Sequence, residues 1–360
     1  MMRWVRAEHG AFQALRSIVW LAVATAWLHA PSSTAAIPDS ERQALIAIYE
    51  ATHGGTWAIN DNWCTTNPCP LESPTFAPPG TECYTGTSGD GWYGVQCNRD
   101  KTHVIAINLS ANHLAGSLPP LASLTALESF DVANNELAGT LPDLDTLVSL
   151  QSFSVSANRF SGSIPGLASL TTLEAFLASD NQLTGAIPSL NGLDALRAVD
   201  VRANQLSGAI PELRDHHALV NFNVLGNALT GSIPDLSGLD SLKYFYVNRN
   251  NLSGPIPPLA ALSTLRMFFV SENMLTGAIP ELPSGVLQVY FGNNRLSGAV
   301  PAAPATLWSN QSNLCPNPLD LAPSGNDAGW NLATGHTPWW ADPATGVVCD
   351  DLFRAGFDAH

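Results

Sequence analysis

Residues 219–234 read Leu-Val-Asn-Phe-Asn-Val-Leu-Gly-Asn-Ala-Leu-Thr-Gly-Ser-Ile-Pro. Phe222 and Val224 alternate with Asn221, Asn223 and Leu225, which is the period of an extended strand with one side turned inward. Asn227 interrupts the apolar pattern, Gly231 allows a tight bend, and Pro234 fixes φ and removes a backbone donor. So short a unit cannot bury its own apolar side, and it must stack on units of its own kind. The sequence supplies them. The phrase Asn-x-Leu-x-Gly-x-Ile-Pro, with conservative changes, begins at Asn112, Asn135, Asn158, Asn181, Asn204, Asn227, Asn250, Asn273 and Asn294. The first seven intervals are 23 residues each and the last is 21.

Nine copies at this period predict a solenoid over residues 104–301, mostly β, with a parallel sheet on its concave side. Before each Asn, apolar residues recur at −8, −5 and −3. The −5 place holds Phe130, Phe153, Phe176, Phe222, Phe245 and Phe268. One aromatic per rung predicts a continuous spine inside the coil. The repeated Asn is expected to form a ladder, its amide satisfying backbone groups where the chain leaves the strand. The Gly and Pro that follow predict an irregular side, short of helix and without further strand pairing.

Residues at −6, −4, −2 and −1 are expected to face outward. Rungs stack roughly 4.8 Å apart, so equivalent residues form surface columns. The −4 column runs Asn108, Asp131, Ser154, Leu177, Asp200, Asn223, Tyr246, Phe269, Tyr290. The −6 column runs Ala106, Ser129, Ser152, Ala175, Ala198, Asn221, Tyr244, Met267, Gln288. The first half is small and polar. The second half gathers Tyr244, Tyr246, Met267, Phe269 and Tyr290, bordered by Leu225 and rimmed by Arg202, Asn248, Arg249 and Glu272. Exposed aromatics and Met edged by Arg have the composition of a protein-binding surface.

The flanks read as caps, over 37–103 and 302–360. Residues 39–53 predict a helix capped by Asp39 or Ser40, with Ala44, Leu45, Ile48 and Tyr49 on one face. Trp57, Trp63 and Trp92 are expected beneath it; Trp308, Trp330, Trp339 and Trp340 stand at the other end. These tryptophans are expected to plug the open ends of the core. Ahead of the first cap, Arg3, Arg6 and Arg16 precede an apolar run from Ile18 to Ala30, followed by Ser33-Thr34-Ala35-Ala36. That order describes a secretory signal peptide over 1–36, and the run is short for a bilayer span. Six cysteines in an exported chain read as disulfides. Cys64, Cys69, Cys83 and Cys97 allow three connectivities, with Cys97 expected to join Cys69 or Cys83; Cys315 is expected to join Cys349.

Net charge is −15, with 15 basic and 30 acidic residues, which excludes a nucleic-acid binder working through a basic surface. No paired-carboxylate, HExxH, nucleophile-elbow or phosphate-loop pattern appears. Asp131 and Asp200 lie three repeats apart, too far for a glycosidase pair. His216-His217 reads as a solvated turn, not a metal site. No enzyme activity, cofactor or metal is expected.

The pattern Leu-x-x-Leu-x-Leu-x-x-Asn-x-Leu-x-Gly-x-Ile-Pro resembles the plant-type leucine-rich repeat, one residue shorter per repeat. Ser40-Glu41-Arg42-Gln43-Ala44-Leu45 with Trp92-Tyr93-Gly94-Val95-Gln96-Cys97 is similar to that family's N-terminal cap, here with an insertion over 69–91. Asn313-Leu314-Cys315-Pro316-Asn317-Pro318-Leu319 is similar to its C-terminal cap. Gly54-Gly55-Thr56-Trp57 and Asn60-Asp61-Asn62-Trp63 resemble exported bacterial relatives, and the tail from Cys349 resembles an ending seen on exported proteins of the Xanthomonas group. The resemblance implies an α/β solenoid, mostly β: a right-handed leucine-rich-repeat superhelix with disulfide caps. Its similarity to polygalacturonase-inhibiting proteins and receptor-kinase ectodomains implies a secreted or cell-surface recognition protein. The implied partner is an extracellular protein, such as a host or competitor enzyme; the alternative is a cell-wall glycan bound by the same aromatics or the cap tryptophans.

Overall fold

A computed structural model describes residues 36–67, 69–70, 72–83, 91–321 and 324–340. The expected signal peptide, except Ala36, and Cys349 lie outside these residues. Among them, no helix is long and apolar enough to cross a membrane.

The −6 to −4 residues of successive repeats form one ten-stranded sheet. Strand β1 (Val95–Cys97) opens it, antiparallel to β2 (Val104–Asn108). The sheet continues in parallel through β4 (Ser129–Asp131), β6 (Ser152–Ser154), β8 (Ala175–Leu177) and β10 (Ala198–Asp200). It ends with β12 (Asn221–Asn223), β14 (Tyr244–Tyr246), β16 (Met267–Phe269) and β18 (Gln288–Tyr290). Equivalent residues pair with equivalent residues, as Ser129 with Ser152 and Tyr246 with Phe269. The inward Phe column is buried throughout. Neighbouring rings stack at 5.6 and 5.7 Å from Phe130 to Phe176, and at 5.7 and 5.4 Å from Phe222 to Phe268. Val199 interrupts the spine between these two runs.

The Asn residues form the expected ladder. Asn158 Nδ2 donates to the carbonyls of Val132 and Val155, both at 3.0 Å, and Leu137 N–H donates to its Oδ1 at 2.9 Å. The ladder reaches one residue beyond the nine repeats. Asn317, fully buried, donates to Phe291 and Leu314 carbonyls and accepts from Leu296 N–H.

The side expected to be irregular is not. The residues after each Asn form β3 (Ala115–Ser117), β5 (Glu136–Thr140), β7 (Arg159–Ser163), β9 (Gln182–Gly185), β11 (Gln205–Ala209) and β13 (Ala228–Thr230), a second parallel sheet. A further sheet holds β15 (Ser253–Pro255), β17 (Met274–Gly277) and β19 (Arg295–Leu296). The physical reason is that the alternation survives the Asn: Leu137 is buried between half-buried or exposed Glu136 and Ala138. The repeated Pro stands after the paired segment, where it removes no ladder donor. Only Pro255 lies within a strand of this side. Pairing here is staggered by two residues, Ser117 facing Ala138, whereas the first sheet keeps equivalent positions level.

Helix α1 (Asp39–Ala51) covers the first rung, burying Ala44, Leu45, Ile48 and Tyr49. Its N-cap is Pro38 and no side chain caps it, in place of the expected Asp39 or Ser40. Asp39 and Glu41 sit in the first turn, where negative charge suits the exposed amides. Glu41 is spent elsewhere: it accepts from Val104 N–H at 2.7 Å and meets His103 Nδ1 at 2.6 Å. Beneath the helix, Tyr49, Trp57, Trp63, Phe76 and Trp92 form one aromatic cluster with centroids 4.7 to 6.1 Å apart. Arg42 lies 5.0 Å over Trp92 and pairs with buried Glu82; burial pulls its guanidinium below the ordinary value, and Asp39 offsets part of this. Cys64 bonds Cys69, and Cys83 bonds Cys97. Cys315 is also disulfide-bonded.

At the other end, α2 (Asp327–Thr334) packs Trp330 into the core, and Trp339 is buried beside half-buried Trp340 at 5.3 Å. Trp308 does not join the plug; it is 44% exposed.

One turn departs from expectation. His216 is not solvated. It is buried in the column that Leu124, Leu147, Leu170 and Leu193 occupy in the preceding rungs. Its Nδ1 lies 3.0 Å from Leu213 O and its Nε2 3.0 Å from Leu190 O. A neutral imidazole carries one N–H, so only one of these carbonyls receives a hydrogen bond and the other faces the bare ring nitrogen, which leucine would not leave unpaired. His217 is exposed and meets Asp240 at 2.7 Å.

Candidate functional site

The sheet register brings the five expected aromatic and Met residues together. Tyr244 pairs with Met267, and Met267 with Gln288; Tyr246 pairs with Phe269, and Phe269 with Tyr290. This makes a block two columns wide on three successive rungs. Tyr246 stacks against Tyr244 at 6.3 Å and meets Phe269 at a tilt at 4.8 Å; Phe269 meets Tyr290 edge-on at 4.4 Å. Tyr246 Oη donates to Met267 Sδ at 3.1 Å. Tyr244, Tyr246, Met267 and Tyr290 are half-buried. Phe269 is not exposed as the column pattern suggests: it retains 9%, because Tyr246 and Tyr290 flank it on the same face.

The surrounding residues take distinct places. Leu225 is half-buried, and its N–H donates to Asn223 Oδ1 at 3.2 Å. Arg249 is exposed and pairs with Glu272 on the next rung at 3.0 Å. Arg202 lies 3.7 Å from Asp180 and 4.0 Å from Asp200. Asn248 is half-buried, with an Oδ1 that accepts no hydrogen bond among the described residues.

The patch also depends on Gln288, which the sequence reading left out of the binding set. Its Nε2 donates to Tyr290 Oη at 2.6 Å and reaches Gln311 Oε1 at 3.3 Å. Burial pushes the Tyr290 phenol above its ordinary value, and the Gln288 contact pulls it back in part. Asn221, Asn223 and Asp200 are likewise part of the face, each almost fully buried among their neighbours. Their place in the −6 and −4 columns was visible in the sequence. Their burial was not, since it depends on side chains from adjacent rungs. No cluster of three or more metal-ligating residues occurs among the described residues.

No family model matches the chain, and no curated protein matches it. Solved structures do. The plant peptide hormone receptor RGFR1 in complex with RGF2 is 30% identical, with a TM-score of 0.54 over 57% of this chain and 35% of the receptor. The fold is a plant-type leucine-rich-repeat solenoid. The leucine-rich-repeat ectodomain of the Arabidopsis thaliana receptor kinase GASSHO1/SCHENGEN3, in complex with CASPARIAN STRIP INTEGRITY FACTOR 2, is 28% identical. Its TM-score is 0.56, over 63% of this chain and 32% of that one. The chain thus spans about a third of the length of these receptors. A plant ice-binding protein is 25% identical with a TM-score of 0.61, over 82% of this chain and 91% of its own. The disulfides and the ectodomain neighbours fit an extracellular protein.

Proposed function

We propose that this solenoid is a secreted recognition protein that binds an extracellular protein through the second half of its concave face. The observation that carries the reading is the half-exposed block of Tyr244, Tyr246, Met267 and Tyr290 around Phe269, held in register on three rungs. Aromatic side chains fixed by neighbouring strands lose little freedom on binding, and such anchors dominate protein interfaces. The receptors similar to this chain were solved with peptide or protein ligands, which supports a ligand-binding role. A face rich in aromatic anchors supports a binding role. An affinity capture tests this. The bait is the protein from residue 37 onward, offered secreted proteins and soluble cell-wall glycans, beside a Tyr246→Ala, Phe269→Ala, Tyr290→Ala variant. A protein retained by the native bait and lost by the variant supports the reading. Glycan retention alone moves it to carbohydrate adhesion, and equal capture by both baits overturns the site.

A second reading rests on the ice-binding neighbour and on the second sheet. At three and five residues after each repeat Asn, every residue is Ala, Ser or Thr except Pro255, and from Thr184 onward all are exposed. A regular array of small hydroxyl and methyl groups suits an ordered surface such as ice. Growth of ice crystals in the presence of the protein checks it, with Thr230→Tyr expected to abolish any inhibition and the concave-face variant to leave it intact.

A further inference from the structure

A line of residues borders the aromatic block where the chain enters the concave sheet. Backbone hydrogen bonds carry it from rung to rung. Arg266 N–H donates to Lys243 O at 2.9 Å, Leu287 N–H to Arg266 O at 2.8 Å and Trp308 N–H to Leu287 O at 2.8 Å. Lys243 and Arg266 therefore stand side by side, immediately before the paired residues Tyr244 and Met267. Leu287 and Trp308 continue the line onto the C-terminal cap.

Two features of this line answer nothing inside the fold. The first is charge. Acidic residues outnumber basic ones by 30 to 15, and Arg197, Arg202 and Arg249 each meet a carboxylate, at 3.2, 3.7 and 3.0 Å. Lys243 and Arg266 pair with no carboxylate among the described residues. Asp240, three residues before Lys243, meets His217 instead at 2.7 Å. Like charges at facing places on neighbouring rungs are destabilising, so the fold gains nothing from this pair. Arg266 is also held in place: its Nη1 reaches the carbonyls of Ser263, Leu265 and Gly285 at 3.2, 3.0 and 3.2 Å. Its Nε and Nη2 carry no hydrogen bond among the described residues. One edge of the planar fork is thus open for two parallel bonds, the geometry that a carboxylate accepts. The second feature is apolar exposure. Trp308 is 44% exposed, and among the described residues no other tryptophan is exposed. Leu287 beside it is half-buried.

We propose that this margin takes an acidic side chain of an extended polypeptide, whose carboxylate sits between Lys243 Nζ and the open edge of Arg266 while an apolar side chain of the same segment covers Leu287 and Trp308. Arg266 and Trp308 are two rungs apart, roughly 10 Å, or about three residues of extended chain. The segment therefore crosses the rungs beside the aromatic block and is not an added strand. This rests on the concave face being the binding surface and adds which charge the partner brings to its edge. The net charge of −15 repels a polyacidic partner at long range, so the line suits one carboxylate in an otherwise neutral or basic segment.

The test pans a library of random dodecapeptides on the protein from residue 37 onward, beside a Lys243→Gln, Arg266→Gln variant and the Tyr246→Ala, Phe269→Ala, Tyr290→Ala variant. The native bait should enrich peptides that carry Asp or Glu within about four residues of a leucine or an aromatic residue. The charge variant should lose the acidic enrichment. The strongest peptide, synthesised, should lose at least about tenfold in affinity when its acid becomes the amide, or when the protein carries the charge variant. Both changes together should lose no more than either alone. Trp308→Ser should weaken the peptide by at least about fivefold and leave the acidic preference intact. Should the charge variant not fold, Lys243→Glu at an exposed position should abolish the acidic preference, and Arg266→Lys, which keeps the charge without the fork, should weaken it. No acidic enrichment on the native bait, the same enrichment on a folded charge variant, or no enriched peptide at all overturns the proposal. Acidic peptides kept by the Tyr246, Phe269, Tyr290 variant and lost by the charge variant support the margin and overturn the aromatic block. Neutral peptides lost only by the Tyr246, Phe269, Tyr290 variant leave the concave-face reading standing and remove the acidic preference.

Discussion

The two halves of the concave sheet share a backbone and differ in what they display. In both, equivalent residues face each other level across the rungs, and a buried Phe column and an Asn ladder run beneath. The first half presents Asp131, Ser154 and Leu177 outward; the second presents Tyr246, Phe269 and Tyr290 at the same positions. What the fold requires is therefore the same in both halves, and what it leaves open has been filled differently. Side chains that recur are answering the solenoid. Side chains that change midway are answering something outside it.

The largest effects should be equal between the halves. Phe153→Ala and Phe245→Ala each remove a ring stacked on both neighbours and fully buried, and each should cost about 3–5 kcal/mol in denaturant unfolding. A large difference would mean that the halves are not built alike. Asn158→Ala and Asn250→Ala come next, at about 3 kcal/mol each, since both delete an amide that donates to two carbonyls and accepts a third bond. The outward positions should then separate the halves. Tyr246→Ala should weaken partner binding by about 2 kcal/mol, whereas Ser154→Ala should leave binding untouched; calorimetric titration of the captured partner reads both.

Smaller effects fall at the junction and at high pH. His216 sits in the turn just before β12, and His216→Leu restores the residue found in the preceding rungs; it should raise stability by about 1 kcal/mol in thermal unfolding. Tyr290 gives the second half an alkaline sensitivity, since no tyrosine lies on the first half. Burial raises its folded value, so the folded protein holds the phenolic proton where the unfolded chain has released it. Its contribution is complete below about pH 10 and is lost as pH rises beyond. The difference in phenolate absorbance between the protein and Tyr290→Phe, followed against pH, should show a phenol titrating above its ordinary value; burial raises Tyr49 of the first cap as well, and its late phase should remain in the variant.

Most of the solenoid was legible because its cause is repetition. An Asn that recurs every 23 residues with Phe five residues before it leaves one arrangement that buries both, and the structure has it. The second sheet is harder to see in the sequence because Gly and Pro commonly break strands, although the alternation of Glu136, Leu137 and Ala138 continues the strand period past Asn135. The burial of His216 is hidden by its polar neighbours and shows only in its place in the leucine column of Leu124, Leu147, Leu170 and Leu193. Of the site, the gathering of Tyr244, Tyr246, Met267, Phe269 and Tyr290 followed from register alone. The burial of Phe269 could not follow from it, since it depends on how side chains of adjacent rungs lean on one another.

The most direct test is hydroxyl-radical footprinting of the free protein and of its complex with the captured partner. The account predicts that oxidation of Tyr244, Tyr246, Met267 and Tyr290 falls on binding while Leu177 of the first half is labelled as before. Unchanged labelling of those four residues, or protection confined to the exposed Trp308 of the cap, would contradict it.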